Sequence, residues 1–190
     1  MHTDESVPGA IPPPPADSWR RSLRAFLVEL VSTFVPAILI ALLINAFMAQ
    51  STVVFGQSME PNLRADQRLM VEKVSYRLHG PRRGDIVVLA DPTGGPIPLI
   101  KRVVGLPGER ITVTHGRVYV DGILLDEPYL DQVTQGEGRS WVAPPMQIFV
   151  MGDNRSNSKD SRYFGTVPLE TVLGHAIFRF WPMNELGGLP

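Results

Sequence analysis

Twenty consecutive residues without a charged side chain, LVSTFVPAILIALLINAFMA at positions 30–49, constrain this chain more than any other feature. As a helix such a run rises about 30 Å, the hydrocarbon thickness of a bilayer. The core helix of a soluble domain seldom stays charge-free for so long. A cleaved leader is a poor fit, because the apolar part of such segments runs about 7 to 15 residues and a small residue is needed where Phe47 stands ahead of a cut at Gln50. The run therefore predicts a transmembrane helix within positions 19–49, with Pro36 as a possible kink and Asn45 near the far end. Arg20, Arg21 and Arg24 flank its N-terminal side, while the next basic residue after the run is Arg64, a bias that predicts a cytoplasmic N-terminus. The stretch GAIPPPPAD can neither form a helix nor bury apolar surface, so residues 1–18 are expected to be a disordered cytoplasmic tail. Residues 50–190 are then expected to form an extracytoplasmic domain.

A 190-residue chain that is 44% hydrophobic supports one real core. Its net charge of -1 offers no general attraction to nucleic acid, and no nucleic-acid partner is expected. The absence of cysteine excludes disulfides, thiolate metal sites and thiol catalysis, and leaves the redox compartment unspecified. After the apolar run the helical period vanishes. Short segments rich in valine, isoleucine and aromatic residues alternate with turns: STVVFG, RLMVEKV, DIVVLA, PLIKRVVG, RITVTHG, RVYVDG, QIFVMG and GHAIFRFW. Eight short strands separated by DPTGGP, LPGE, THG and DG predict a mainly β domain, an antiparallel sandwich or barrel. No helical stretch of comparable length lies between them, which argues against a parallel α/β sheet.

Just beyond the apolar run, the segment GQSMEPN carries Ser58, a nucleophile only if some base takes its proton. The four histidines fit turn or surface positions: His2 in the tail, His79 in HGP, His115 in THG, and His175 beside a glycine. The chain has only three lysines. Lys73 follows Glu72 at a strand end, and Lys159 stands in the polar loop RSNSKDSR. Lys101 differs: on PLIKRVVG, alternation puts Leu99, Lys101 and Val103 on one face. Alternation alone leaves two placements for the amine, buried among aliphatic groups or carried to water on a packed stem. Only the first makes a base. At an unperturbed pKa of about 10.4, roughly one lysine in 2500 is neutral at pH 7, and bringing the pKa near 7 takes about 4 to 5 kcal/mol of differential desolvation.

Five segments in order after the apolar run, GQSMEPNL, DQRLMVEKVSYR, RRGDIVVL, KRVVGLPGE and GDNRSNSKDSRYFGTVP, make the chain resemble the bacterial type I signal peptidases from about position 20 to 182. These are membrane-anchored serine proteases with a Ser-Lys dyad, and a lysine in the fourth segment resembles the bacterial and organellar type. The resemblance implies Ser58 as nucleophile, Lys101 as general base, and Ser158 as a hydroxyl that hydrogen-bonds and orients the lysine amine. Asp153, Arg155, Asp160 and Arg162 resemble the family's charged loop, where opposite charges hold the loop against the dyad. A calcium loop is the alternative for this segment. It is disfavoured because Arg155 stands where such loops need Asp or Asn, and no glycine follows at the sixth place.

The resemblance further implies removal of signal peptides from exported preproteins, at the plasma membrane and with no cofactor or metal. Substrate would bind extended near Gly56, with small side chains at the first and third positions before the cut. Val54, Phe55, Gly56 and Met59 are the candidate substrate-binding residues. Some family members carry a serine two residues before the nucleophile whose hydroxyl helps bind the oxyanion; Gly56 stands there, which leaves the oxyanion to backbone N–H groups. Asn62 replaces a common threonine and Ser156 a common aspartate. The expected partners are preproteins and the lipid bilayer, with the enzyme a monomer. Two rival readings remain in view, a self-processing Ser-Lys protease and an anchored binding module. The first predicts a cytoplasmic domain and the second the loss of a dyad residue.

Overall fold

The computed structural model describes residues 18–190, apart from positions 74, 75, 77 and 78. The expected proline-rich tail lies outside the described residues as far as position 17, and Ser18 opens a helix instead of closing that tail. Helix α1, Ser18–Met48, has 31 residues and contains Pro36. At 1.5 Å per residue it is about 46 Å long. Its segment Ser22–Ala41 has a mean hydropathy of 1.9, is wholly exposed, and is long and apolar enough to cross a membrane. This apolar segment lies within the expected 19–49, starts ahead of the charge-free run and takes in Arg24 and Glu29, while Ala49 belongs to the first strand.

Residues 44–190 form a separate compact unit. Its strands are β1 Ala49–Val53, β2 Arg68–Glu72, β3 Ile86–Leu89, β4 Leu99–Gly105, β5 Arg110–Thr114 and β6 Arg117–Val120, followed by β7 Ile123–Leu124, β8 Arg139–Val142, β9 Gln147–Met151, β10 Val167–Pro168, β11 Val172–Trp181 and β12 Gly187–Gly188. The larger sheet runs β1-β2-β11-β3-β4-β9-β10 with β12 added on β11, and the smaller runs β7-β6-β5-β8. All the pairings are antiparallel. The mainly β, antiparallel fold read from the sequence is thus the fold observed, and each of the eight predicted segments contains a strand.

Strand β4 lies inside the sheet, between β3 and β9, and from Ile100 onward it is buried on both faces. Ile100 joins one apolar layer with Val54, Met59, Leu63, Leu69, Val71, Ile86 and Val88. Val103 joins another with Val87, Leu89, Ile148 and Val150, against which Leu99 packs. Leu99 and Val103 therefore share a layer, as alternation requires, and Lys101 lies between them in sequence. Burying each valine, leucine or isoleucine side chain contributes about 1.5–3 kcal/mol. The two layers hold β4 rigidly enough to fix the direction of the one amine it carries.

Candidate active site

Ser58 lies on the loop from β1 to β2. Backbone bonds from Val54 N to Gln67 O (2.8 Å) and from Asp66 N to Val54 O (3.0 Å) close the base of this loop. Val54, Met59 and Leu63 are at most 2% exposed and anchor it in the core beneath Ser58. From the middle of β4, Lys101 Nζ reaches the serine and donates to Ser58 Oγ at 2.6 Å. Lys101 itself is 2% exposed, so the buried placement of the amine is the one observed. Burial lowers its pKa to about 8; the charges of Asp160 and Asp153 act the other way, and Arg162 adds to the lowering. At a pKa of 8, about a tenth of the amine is neutral at pH 7, against a few parts in ten thousand for a free lysine. The other two lysines, Lys73 and Lys159, are exposed. His175 stands between Glu72 and Asp85 at 3.8 and 3.7 Å, and the exposed His115 occupies a turn.

The chain following β9 folds over this pair. Asn154 N donates to Ser58 O (3.0 Å) and Asn154 Nδ2 to Gln57 O (3.2 Å). A Cβ on Gly152 would lie 2.3 Å from Ser58 O and 2.3 Å from Ser158 Oγ, so only glycine admits both neighbours. Gly152 N also donates to Asp160 Oδ2 (3.0 Å), which binds the start of the loop to its end. Ser158 comes next to the site as expected, but the expected hydrogen bond to Lys101 is not formed. Its hydroxyl is buried against Gly152 without a hydrogen-bond partner among the described residues, while the lysine amine donates to Ser58.

The four charged residues of the loop all meet opposite charges, though not all within the loop itself. Only Asp160 and Arg162 pair with each other, through Nε (2.9 Å) and Nη2 (2.8 Å), with Asp160 also capping the short helix α2, Ser161–Phe164. Arg162 Nη1 further donates to Arg155 O (2.8 Å). Asp153 accepts two bonds from Arg102, at 2.9 and 2.7 Å, and one from Asn62 Nδ2 at 2.9 Å. Arg155 pairs with Glu127, donates to Thr134 Oγ1 (2.6 Å), and through Nε to Gly152 O (3.1 Å). Each loop carboxylate is thus occupied by an arginine, the arrangement of a scaffold and not of a calcium loop. Arg102, Glu127, Asn154 and Gly152 were not singled out from the sequence. The available signal was Arg102 itself, a second cation in the apolar strand LIKRVVG, which has to find a buried partner.

Of the expected substrate-binding residues, Val54 and Met59 are core side chains at 2% and 1% exposure. Phe55 is 61% exposed, and Gly56 is exposed with φ of +75°, a left-handed conformation that glycine takes without strain. Asn62 contacts the charged loop and not the dyad, joining Asp153 to the carbonyl of Tyr129. Ser156 Oγ lies 3.1 Å from two acceptors that share its one hydrogen, Asn154 Oδ1 within the loop and Gln132 Oε1 outside it.

The model of the family described as signal peptidase, peptidase S26, matches residues 27–181. A probable signal peptidase I-2 from Synechocystis sp. (strain ATCC 27184 / PCC 6803 / Kazusa) is 42% identical over 180 residues, covering 92% of this chain and 78% of its own. Signal peptidase I from Leptolyngbya laminosa is 38% identical over 195 residues, covering 98% of this chain and 95% of its own. A crystal structure of a signal peptidase I from Enterococcus faecalis V583 is 34% identical and covers 50% of this chain and 95% of that one, with a TM-score of 0.44. With more than three quarters of its length matched by the family model and relatives near 40% identity along almost all of it, the chain belongs to the signal peptidase family of serine endopeptidases, peptidase S26.

Proposed function

We propose that this chain is a membrane-anchored signal peptidase that cuts exported preproteins by a Ser58–Lys101 acyl-enzyme mechanism. The observation that carries the reading is the 2.6 Å contact between Lys101 Nζ and Ser58 Oγ, with the amine buried and its pKa brought down to about 8. In the ammonium form the amine donates to the serine. Once neutral, it accepts the Ser58 proton as Oγ attacks the scissile carbonyl carbon. The carbon–nitrogen bond then breaks and the lysinium protonates the departing amine, leaving an ester on Ser58. Neutral again, Lys101 takes a proton from water, the hydroxide attacks the ester, and Ser58 recovers its hydrogen.

With glycine at position 56, the Ser58 backbone N–H serves as oxyanion donor. The buried Ser158 hydroxyl, unpaired at rest, gives the lysinium a second acceptor as the proton arrives. The role of Asp153, Arg155, Asp160 and Arg162 is to hold these groups in place. Phe55 and Gly56 are the exposed residues that an extended substrate meets, and family resemblance assigns small side chains to the first and third positions before the cut. Helix α1 anchors the enzyme once, with the arginine-flanked end in the cytoplasm and the catalytic unit outside. Ser58 follows the helix by ten residues in sequence, a short tether that favours a substrate emerging from the lipid.

The test is cleavage of a peptide bearing an Ala-x-Ala site by the full chain in detergent. Ser58→Ala and Lys101→Ala fold and leave the substrate intact, and Ser58→Ala also blocks labelling by a serine-directed acylating probe. Near-normal cleavage by either variant removes the assignment.

A further inference from the structure

The family model stops at Trp181, yet the chain continues into a segment that reaches back to the site. Residues 183–185 form a 3-10 turn, and β12 then pairs with β11 through Phe178 with Gly188 and Arg179 with Gly187. Two sets of contacts leave this segment, one to the Ser58 loop and one to β4.

The first set goes to the Ser58 loop. Glu185 O accepts from Arg179 Nε (2.7 Å), and Arg179 Nη1 donates to Asn62 O (3.2 Å). Glu185 Oε2 accepts from Gln67 Nε2 (2.6 Å), in the residue whose carbonyl closes the base of that loop. Leu189 packs against the apolar layer that contains Val54, Met59 and Leu63. The second set goes to β4. Pro190 O accepts from Arg102 Nη1 (2.6 Å), and the same guanidinium donates to Gly84 O (3.0 Å), lies 3.9 Å over the Tyr129 ring, and grips Asp153 with its other two nitrogens. Arg102 is 2% exposed, adjoins Lys101, and through Asp153 fixes the loop whose Asn154 N–H holds Ser58 O.

We propose that residues 183–190 form a positioning strap that sets the Ser58–Lys101 distance by joining the Ser58 loop to the Arg102–Asp153 pair. Arg102 has more donors than Asp153 can accept, and a buried guanidinium N–H left unpaired loses its hydrogen bond without regaining water. The Pro190 carbonyl takes up that donor and fixes the guanidinium plane, and with it Asp153 and the loop beyond. No residue of the strap touches the reacting atoms. Its effect is on kcat, through the geometry of the pair, and not on the binding of an extended peptide.

The inference rests on the Ser58–Lys101 reading, so wild-type cleavage that depends on both residues is established first. If wild type fails there, the proposed function falls; the strap is judged by variants of an enzyme that passes. Removing Pro190 alone keeps β12 and Leu189 and takes away this acceptor. It lowers kcat about three- to tenfold with KM unchanged within twofold and the melting temperature nearly unchanged. Removing residues 187–190 lowers kcat further, by at least tenfold. Arg102→Lys, which keeps a charge on Asp153 but cannot span its acceptors, loses a similar factor, and adding the Pro190 deletion to it costs no more, because the two changes break one linkage. Wild-type kcat on loss of Pro190, or losses that multiply in the double variant, overturn the proposal. Should the four-residue deletion not fold, the Pro190 deletion and the double variant decide the matter alone.

Discussion

Two cations stand side by side on β4, each 2% exposed, and their surroundings are built in opposite ways. Around Arg102 the charge is fully answered: two bonds to Asp153, two backbone carbonyls, and the face of Tyr129. Around Lys101, the one hydrogen bond among the described residues is to a neutral hydroxyl. The carboxylates nearest in electrostatic effect, Asp160 and Asp153, are already held by Arg162 and Arg102. The arginine is therefore bound on every side, while burial pushes the lysine toward neutrality. The same strand carries a fully paired cation and the base proposed for Ser58 because adjacent side chains point into different layers.

The largest expected effect separates them by activity. Lys101→Met removes the base and lowers the cleavage rate by about 10⁴-fold, the upper range for loss of a general base, measured as single-turnover cleavage of the peptide substrate. A residual rate within tenfold of wild type erases the distinction between the two cations. Next is Arg102→Met, which leaves Asp153 buried with its charge no longer balanced and costs about 3–5 kcal/mol in urea unfolding. A loss below 1 kcal/mol shows that the cation is not paired as described.

Gly152→Ala sharpens the comparison where the two surroundings meet. The new methyl displaces Ser158 or the Ser58 carbonyl, costs about 1–3 kcal/mol in overpacking, and lowers the cleavage rate as well. The smallest effect has the opposite sign. The folded-state pKa of Lys101, about 8, lies below the value near 10.4 expected for the unfolded chain, so the folded chain gives up this proton more easily. The resulting penalty is fully present below pH 8, fades between pH 8 and about 10.4, and is absent above. Lys101→Met is therefore more stable than wild type by about 1–3 kcal/mol at pH 7, and the advantage shrinks as thermal melts are taken toward pH 10. A constant or growing difference contradicts the direction assigned to the lysine.

The order of the eight main strands was legible, and Lys101 stood apart from Lys73 and Lys159 in the sequence as it does in burial, because both depend on local periodicity and on how many candidates the chain offers. The four remaining strands were not. Ile123–Leu124, Val167–Pro168 and Gly187–Gly188 are two residues long and have no period to read, and Arg139–Val142 places exposed residues almost throughout. The partners of the charged loop were also hidden. Asp153 reaches Arg102 across 51 positions and Arg155 reaches Glu127 across 28, distances over which a motif has no vote and strand order decides. Ser158 shows a finer limit: it lies against Gly152 near Ser58, while the partner of its hydroxyl depends on a rotamer and on where the lysine amine points.

The central claim is that a single buried amine gives up its proton close to neutrality while touching Ser58. Lysine labelled with carbon-13 at Cε reports this directly, since the chain has only three lysines and the Lys101 signal is the one missing from Lys101→Met. Followed from pH 6 to 11 in detergent, that signal is expected to titrate at about 8. Titration at the free-lysine value of about 10.4 contradicts the account, because an amine so rarely neutral at pH 7 cannot act as the base of Ser58.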